Sequence, residues 1–97
     1  MNNQKTYILS YKTVLGLYTA FQERIERGWL PENKDGIHQT IDFYHEYFLH
    51  YQVIGCDEQQ REASSILKRV PYLRAVLKWR IEHRNTIFYS RAFLNHH

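Results

Sequence analysis

Hydrophobic residues recur every three or four positions through the first third of the chain, which is the spacing of an amphipathic helix. The pattern predicts a helix over residues 5–27. Its apolar side consists of Ile8, Tyr11, Leu15, Tyr18, Ile25 and Trp29, and Val14, Leu17 and Phe21 widen it. A short strand over residues 8–11 is the alternative, but the longer period favours the helix. Gly28 is placed to end the helix. Gly16, inside it, costs about 1 kcal/mol relative to alanine, and close packing of another helix is expected to offset that cost.

The same spacing predicts a second helix over residues 37–54. Its apolar face consists of Ile37, Ile41, Tyr44, Phe48 and Tyr51, with Phe43 and Tyr47 beside it. Gly55 is expected to end this helix. Asp57 is then expected to cap the next helix, with Gln60 three residues later as in a capping box.

The last part of the chain is predicted to form two helices that meet at Pro71. The third helix covers residues 57–70 and the fourth covers residues 71–93. Proline removes a backbone donor and disfavours helical geometry at the residue before it, but it fits well as the first residue of a new helix. The sequence therefore predicts one all-α domain over residues 1–97, a small bundle of three to five helices.

Composition restricts the class of protein. Cys56 is the only cysteine, so neither an internal disulfide nor a thiolate metal site is expected, and a reducing compartment such as the cytoplasm is favoured. The N-terminus has no signal-peptide pattern and no apolar stretch approaches the ~18 residues of a membrane span. Aromatic residues reach 15% of the chain. They either fill a small core or form an interface.

Charge is distributed unevenly along the chain. Residues 61–97 carry eight Lys or Arg against two Glu, a net charge of +6. Residues 1–60 carry five basic residues against eight acidic ones, a net charge of −3. Such a separation of charge along the chain indicates the kind of partner that the protein binds and does not indicate its fold. The basic segment suits a phosphate backbone or an acidic protein surface equally well.

The fourth predicted helix places arginines on the same side as apolar residues. Steps of four and three residues connect Leu73, Leu77, Arg80, Arg84, Phe88 and Arg91. One interpretation is that these arginines flank the core with their charged ends in solvent, or that Asn85 ends the helix. The other is an exposed surface with the composition of a binding hot spot. On that interpretation the partner-binding residues are Arg74, Lys78, Trp79, Arg80, Arg84, Phe88 and Arg91.

No pattern of residues predicts catalysis. His38, Asp42, His45 and Glu46 share one side of the second helix, but His50 is one residue too far from His45 for a zinc helix of the HExxH type. No serine lies in a glycine-flanked elbow and no glycine-rich loop is present to bind a phosphate. The chain is therefore predicted to be no enzyme and to hold no metal or cofactor.

The function predicted is that of a protein-interaction module, with a homodimer left open. Direct binding of DNA or RNA is the alternative, because aromatic residues are interleaved with the basic ones, namely Tyr72, Trp79, Phe88 and Tyr89. A helix-turn-helix is disfavoured, since only Val70 and Pro71 separate the third and fourth helices.

The profile of the whole chain is similar to that of the small accessory proteins that bacteriophages direct against host machinery. It is small, helical, mildly basic and free of catalytic motifs. Within that group it resembles the anti-RecBCD modulators of lambdoid phages, which bind the host recombination nuclease and redirect it. No residue motif carries this resemblance, so it transfers no site residue. It implies a cytoplasmic protein that binds a larger host nucleic-acid-processing complex and inhibits or redirects it.

Overall fold

A computed structural model describes the backbone of residues 7–95 and the side chains of residues 7–84. It contains three helices, α1 (Tyr11–Glu26), α2 (Lys34–Ile54) and α3 (Asp57–Asn95), and no strand within the described backbone. The predicted all-α class is confirmed. Because α3 has 39 residues, it spans the long axis of a molecule that measures 58 × 32 × 19 Å.

The three helices form an up-down-up arrangement. α2 and α3 are antiparallel, and three pairs of residues in contact along them are Gln52–Ser64, Asp42–Arg74 and Lys34–Glu82. α1 packs on both and runs parallel to α3, since Tyr11 contacts Glu62 near the start of α3 and the Ile25 carbonyl contacts Arg80 further along it. The end of α3 beyond Arg84 therefore extends past the beginning of α2.

α1 ends at Gly28 as its sequence predicts. Gly28 has φ = +98°, a conformation that residues with a Cβ rarely adopt. The Trp29 N–H donates to the Arg24 carbonyl at 2.8 Å and the Gly28 N–H donates to the Ile25 carbonyl at 3.0 Å, which together form a Schellman motif. The Arg24 guanidinium also lies 4.8 Å from the Trp29 ring centre. This motif fixes the direction in which the chain leaves α1.

The starts of the helices differ from the predicted boundaries. α1 begins at Tyr11 because the Ser10 side chain caps it by accepting from the Thr13 N–H, and α2 begins at Lys34 because Asn33 caps it in the same way. The cap of α3 is Cys56 rather than Asp57: its carbonyl accepts from the Gln60 N–H and its own N–H donates to Gln59 Oε1. Only half of the expected capping box forms, the bond from the cap N–H to a glutamine side chain, and it lies one residue earlier than predicted.

The predicted division at Pro71 is wrong, since α3 continues through this residue without a break. Pro71 is exposed, whereas Val70 and Leu73 on either side of it are buried against the rest of the bundle. Burial of two such side chains contributes roughly 3–6 kcal/mol. This exceeds the ~3 kcal/mol penalty of a proline inside a helix, so tertiary packing keeps the helix continuous.

Replacing Pro71 with alanine is expected to raise the free energy of unfolding by about 1–2 kcal/mol. Alanine restores the N–H for the Leu67 carbonyl and removes the steric clash of the ring. Part of the ~3 kcal/mol gain is lost because proline also restricts the unfolded chain. Urea denaturation of the wild type and of Pro71→Ala measures the change. A less stable variant would mean that packing requires the proline conformation.

The core contains most of the aromatic surplus. Phe48 is fully buried, with the rings of Tyr11 and Tyr18 packed edge-on against it. The hydroxyl of Tyr44 donates to the Leu17 carbonyl, and that of Tyr51 donates to the Leu9 carbonyl. Among the seven tyrosines of residues 7–84, Tyr72 alone is exposed. The core-filling interpretation thus accounts for most tyrosines and leaves Tyr72 as an exception.

Gly16 has no packing role in the described structure. It is exposed on α1, and a Cβ added there would meet no atom within 4 Å. The expectation of close packing beside Gly16 is therefore wrong.

Gly16→Ala is expected to stabilise the protein by about 1 kcal/mol and to raise the melting temperature by roughly 4–8 °C. Thermal unfolding followed by circular dichroism measures it, and an unchanged or lower melting temperature would contradict the open surroundings of Gly16.

Candidate functional site

The side of α3 that faces the bundle changes from leucine to arginine along its length. Leu73 and Leu77 are buried against apolar side chains. One turn later the same side of α3 reaches the end of α1, where it meets backbone carbonyls. There the Arg80 guanidinium donates through Nη1 to the Ile25 carbonyl at 2.6 Å and to the Trp29 carbonyl at 3.4 Å. Arg80 thus stabilises the C-terminal end of α1 with a positive charge and direct hydrogen bonds.

The next turn of α3 holds the connection between α1 and α2 in the same manner. Arg84 Nη2 donates to the Glu32 carbonyl at 3.1 Å, and Glu82 forms an ion pair with Lys34 at 3.5 Å. The guanidinium groups of Arg80 and Arg84 are therefore used inside the molecule. This geometry favours the interpretation that these two arginines flank the core.

Arg74 lies on a different side of α3, toward α2. Its Nη2 donates to Asp42 Oδ1 at 2.7 Å and its Nη1 lies 3.1 Å from His38 Nδ1. The hydrogen bond from Arg74 holds the pKa of the Asp42 carboxyl below its usual range. Both side chains are accessible to water, so the ion pair contributes little to stability. It does keep the Arg74 guanidinium extended at the surface.

A groove of about 380 Å³ lies next to Arg74 between α2 and α3. We call it the basic groove, and it is lined by His45, Val70, Pro71, Arg74, Ala75 and Lys78. Apolar atoms of Val70 and Pro71 contribute to its lining, Lys78 supplies a positive charge, and the charge of Arg74 is shared with Asp42. Such a site combines apolar contact with attraction for a carboxylate or phosphate.

Two exposed aromatic rings lie beside the basic groove. Tyr72 is 68% exposed and Trp79 is 54% exposed, and we call them the aromatic pair. They are seven residues apart on α3, so they occupy the same side of the helix about 10 Å apart. Ala75, which lines the groove, lies between them in the helix. Trp79 stacks on His83 with ring centres 4.2 Å apart, a contact that restricts the orientation of the indole.

The structure divides the predicted partner-binding residues into three groups. Arg74, Lys78 and Trp79 form one surface, Arg80 and Arg84 bind the α1–α2 connection, and the side chains of Phe88 and Arg91 lie outside the described residues. The site also includes His45, Pro71 and Tyr72, which were not in the predicted set of partner-binding residues; Tyr72 was named only for the nucleic-acid alternative. Tyr72 lies seven residues before Trp79, or two helical turns, and this spacing in the sequence already indicates that the two rings share one side of the helix.

A second region of exposed apolar side chains lies at the end of α2. It consists of Leu49, Val53 and Ile54. No lysine or arginine is near in sequence on this part of α2, so it lacks the charge of the basic groove. A substitution of Val53 in this region is therefore a control for substitutions on the surface of α3.

Other classes of site are not found among the described residues. No three His, Cys, Asp or Glu side chains in this part of the chain come together as metal ligands, and His38 and Asp42 both contact Arg74 instead. None of the described helices is long and apolar enough to cross a membrane. Comparison with models of protein families, with curated proteins and with solved structures gives no match for this chain.

Proposed function

We propose that this protein is a helical interaction module that binds an acidic surface of a larger protein through the basic groove and the aromatic pair on α3. In this proposal it acts in the cytoplasm, where the exposed thiol of Cys56 stays reduced. The bound module occludes or remodels the surface that it covers, and thereby changes the activity of its partner.

One observation carries the proposal: two exposed aromatic rings and an exposed lysine, Lys78, lie within about two turns of α3. The other described tyrosines are buried or half-buried, while Tyr72 and Trp79 are exposed beside Lys78. Trp, Tyr and Arg are the residues that dominate binding energy in protein interfaces. Two such rings supply roughly 300 Å² of contact area, a substantial part of the ~800 Å² that each partner buries in a standard interface.

Charge supports an acidic partner. Lys68, Arg69 and Lys78 are exposed on α3, and the only acidic residues of α3 after its first turn are Glu62 and Glu82. Of these, Glu82 is paired with Lys34. Opposite charge on the partner would raise the association rate, while the aromatic pair would set the lifetime of the complex.

For the particular partner, we propose a host nucleic-acid-processing complex such as the RecBCD nuclease-helicase. The small, helical and basic profile of the chain supports this class. The test adds the protein to purified RecBCD and measures ATP-dependent degradation of linear duplex DNA. We expect a saturable change in degradation that the variant Trp79→Ala with Lys78→Glu no longer produces. Equal degradation at every concentration would exclude this partner.

Direct nucleic-acid binding is the second candidate, because the aromatic pair with its flanking lysines could also stack on bases and contact phosphates. It predicts a different salt dependence. Affinity for single-stranded DNA, measured by fluorescence anisotropy, would fall by orders of magnitude between low and physiological salt if several phosphates are neutralised. If the protein binds single-stranded DNA only weakly at low salt, and the aromatic pair does not contribute to that affinity, protein binding remains the proposed function.

A further inference from the structure

Four neighbouring residues on the outer side of α3 have the arrangement of a hole in helix–helix packing. Tyr72 and Trp79 lie seven residues apart, and Ala75 and Val76 lie between them. Positions i, i+3, i+4 and i+7 of one helix surround the side chain that a second helix inserts when the two pack together. We call these four residues the α3 hole. It has a large ring at each end and two small apolar side chains in the middle.

The α3 hole is accessible from solvent. Ala75 is exposed together with the two rings, whereas Val76 is half-buried and packs on the core. The methyl group of Ala75 does not fill the distance of about 10 Å between the two ring positions. The stack of Trp79 on His83 restricts the orientation of the ring at one end. A large apolar side chain placed over Ala75 would therefore contact both rings and the two small side chains between them.

A helix fits this surface better than an extended segment does. The backbone groups of α3 bond inside the helix, so α3 offers no row of unpaired N–H and C=O groups along which an extended chain could pair. A partner helix bonds its own backbone groups, and the spacing of its side chains matches that of the hole. A helix that covers α3 from Lys68 to Glu82 is about 21 Å long, which corresponds to about 14 residues.

The charge around the α3 hole indicates that this partner helix is acidic. Lys68 lies one turn before Tyr72, Lys78 lies directly before Trp79, and both lysines are exposed. Neither lysine forms an ion pair with a described side chain, and α3 has no acidic residue between them. Acidic side chains of a partner would complement the two lysines. The same surface of a second copy of this chain would instead place lysines near lysines, which disfavours association.

We propose that the α3 hole binds an acidic amphipathic α-helix of the partner protein. A large apolar side chain of that helix, such as leucine or phenylalanine, enters the hole and contacts Ala75 and Val76 between the two rings. Aspartate or glutamate side chains on the flanks of the partner helix pair with Lys68 and Lys78. This inference rests on the proposed function, since it names the element of the partner that the surface of α3 contacts.

The test measures the binding of labelled synthetic peptides to the full chain by fluorescence anisotropy at physiological salt. The first peptide has about 21 residues, with leucine at positions a and d of three heptads and glutamate at positions e and g. A second peptide has lysine in place of glutamate, and a third has a central proline that breaks the helix. We expect saturable binding of the acidic peptide and at least about tenfold weaker binding of the other two.

Three results with these peptides would overturn the proposal. The first is no saturable binding of the acidic peptide up to about 1 mM. The second is equal affinity for the acidic and the basic peptide, and the third is equal affinity for the peptide that contains proline. Lys68→Glu combined with Lys78→Glu is expected to reverse the preference, so that the basic peptide binds more tightly than the acidic one.

Ala75→Gln fills the α3 hole without a change of charge, so it is expected to weaken binding of the acidic peptide by at least about tenfold. The melting temperature should not change, because Ala75 is exposed. Ala20→Gln is the matched control, since it makes the same substitution at an exposed position of α1. The control should stay within about twofold of the wild-type affinity. An unchanged affinity of Ala75→Gln would contradict the proposal.

The remaining outcomes distinguish other occupants of the α3 hole. A dimer of the wild type that Ala75→Gln converts to a monomer, measured by size-exclusion chromatography with light scattering, would assign the hole to a second copy and overturn the proposal. Single-stranded DNA binding that Ala75→Gln weakens would overturn it in favour of a nucleic-acid base. If Ala75→Gln still changes RecBCD activity and Trp79→Ala with Lys78→Glu does not, the proposed function stands and the helix in the hole is excluded.

Discussion

Replacing Arg80 with alanine is expected to lower the free energy of unfolding by about 2–3 kcal/mol. The substitution removes the donor to the Ile25 and Trp29 carbonyls, at the end of α1 where the chain turns toward α2. Hydrogen bonds from charged groups are worth about 1.5–3 kcal/mol, and the carbonyls left without a donor add to the cost. The melting temperature should fall by roughly 10–15 °C. Thermal and urea unfolding both measure the change.

Two variants make the Arg80 prediction specific. Arg80→Lys keeps the charge but loses the rigid, planar guanidinium whose Nη1 reaches both carbonyls, so it should restore only part of the stability. Lys78 is exposed and lies two residues before Arg80. Lys78→Ala removes its positive charge and should leave the melting temperature unchanged. If Arg80→Ala unfolds at the wild-type temperature, its hydrogen bonds to α1 do not stabilise the fold, and Arg80 returns to the set of candidate binding residues.

Removing the aromatic pair and reversing Lys78 should abolish partner binding without loss of stability. The variant combines Tyr72→Ala, Lys78→Glu and Trp79→Ala. Each aromatic anchor of an interface commonly contributes 2 kcal/mol or more, so affinity for the protein partner should fall at least about 100-fold. All three side chains are exposed, so the melting temperature should remain within about 2 °C of the wild type.

The matched control for this variant combines Lys12→Glu with Val53→Ala. It reverses one exposed charge on α1 and truncates one exposed apolar side chain at the end of α2. Affinity, measured by biolayer interferometry with the immobilised partner, should stay within about twofold of the wild type. If the control weakens binding and the triple variant does not, the docking surface lies at the end of α2 rather than on α3.

The fold could be predicted from local patterns wherever the pattern and the packing agree. The three-to-four-residue spacing indicated α1 and α2, and Gly28 indicated the end of α1 because its left-handed backbone conformation suits glycine. The predicted break at Pro71 is wrong because proline disfavours a helix locally, whereas burial against the rest of the bundle determines whether α3 continues. The residues that keep α3 continuous, Val70 and Leu73, are buried by elements distant in sequence.

The candidate site could be predicted only in part. Periodicity placed Arg80 on the side of Leu77, but the Ile25 carbonyl that it binds lies 55 residues away in the chain. Nothing in the local sequence indicates that contact. Composition likewise indicated a surplus of tyrosine without distinguishing the buried rings from Tyr72. The structure supplies the distinction, because it shows which side chains are exposed and which contact neighbouring helices.

Binding of a protein partner through the surface of α3 is tested most directly by an affinity pull-down from bacterial lysate after exhaustive nuclease treatment, read by mass spectrometry. The wild type, the triple variant of the α3 surface and the Lys12→Glu, Val53→Ala control are compared. We expect a defined protein complex that persists after nuclease treatment with the wild type and the control, and that is lost with the triple variant. Loss of every captured protein after nuclease treatment would contradict it and would show that the basic segment holds nucleic acid.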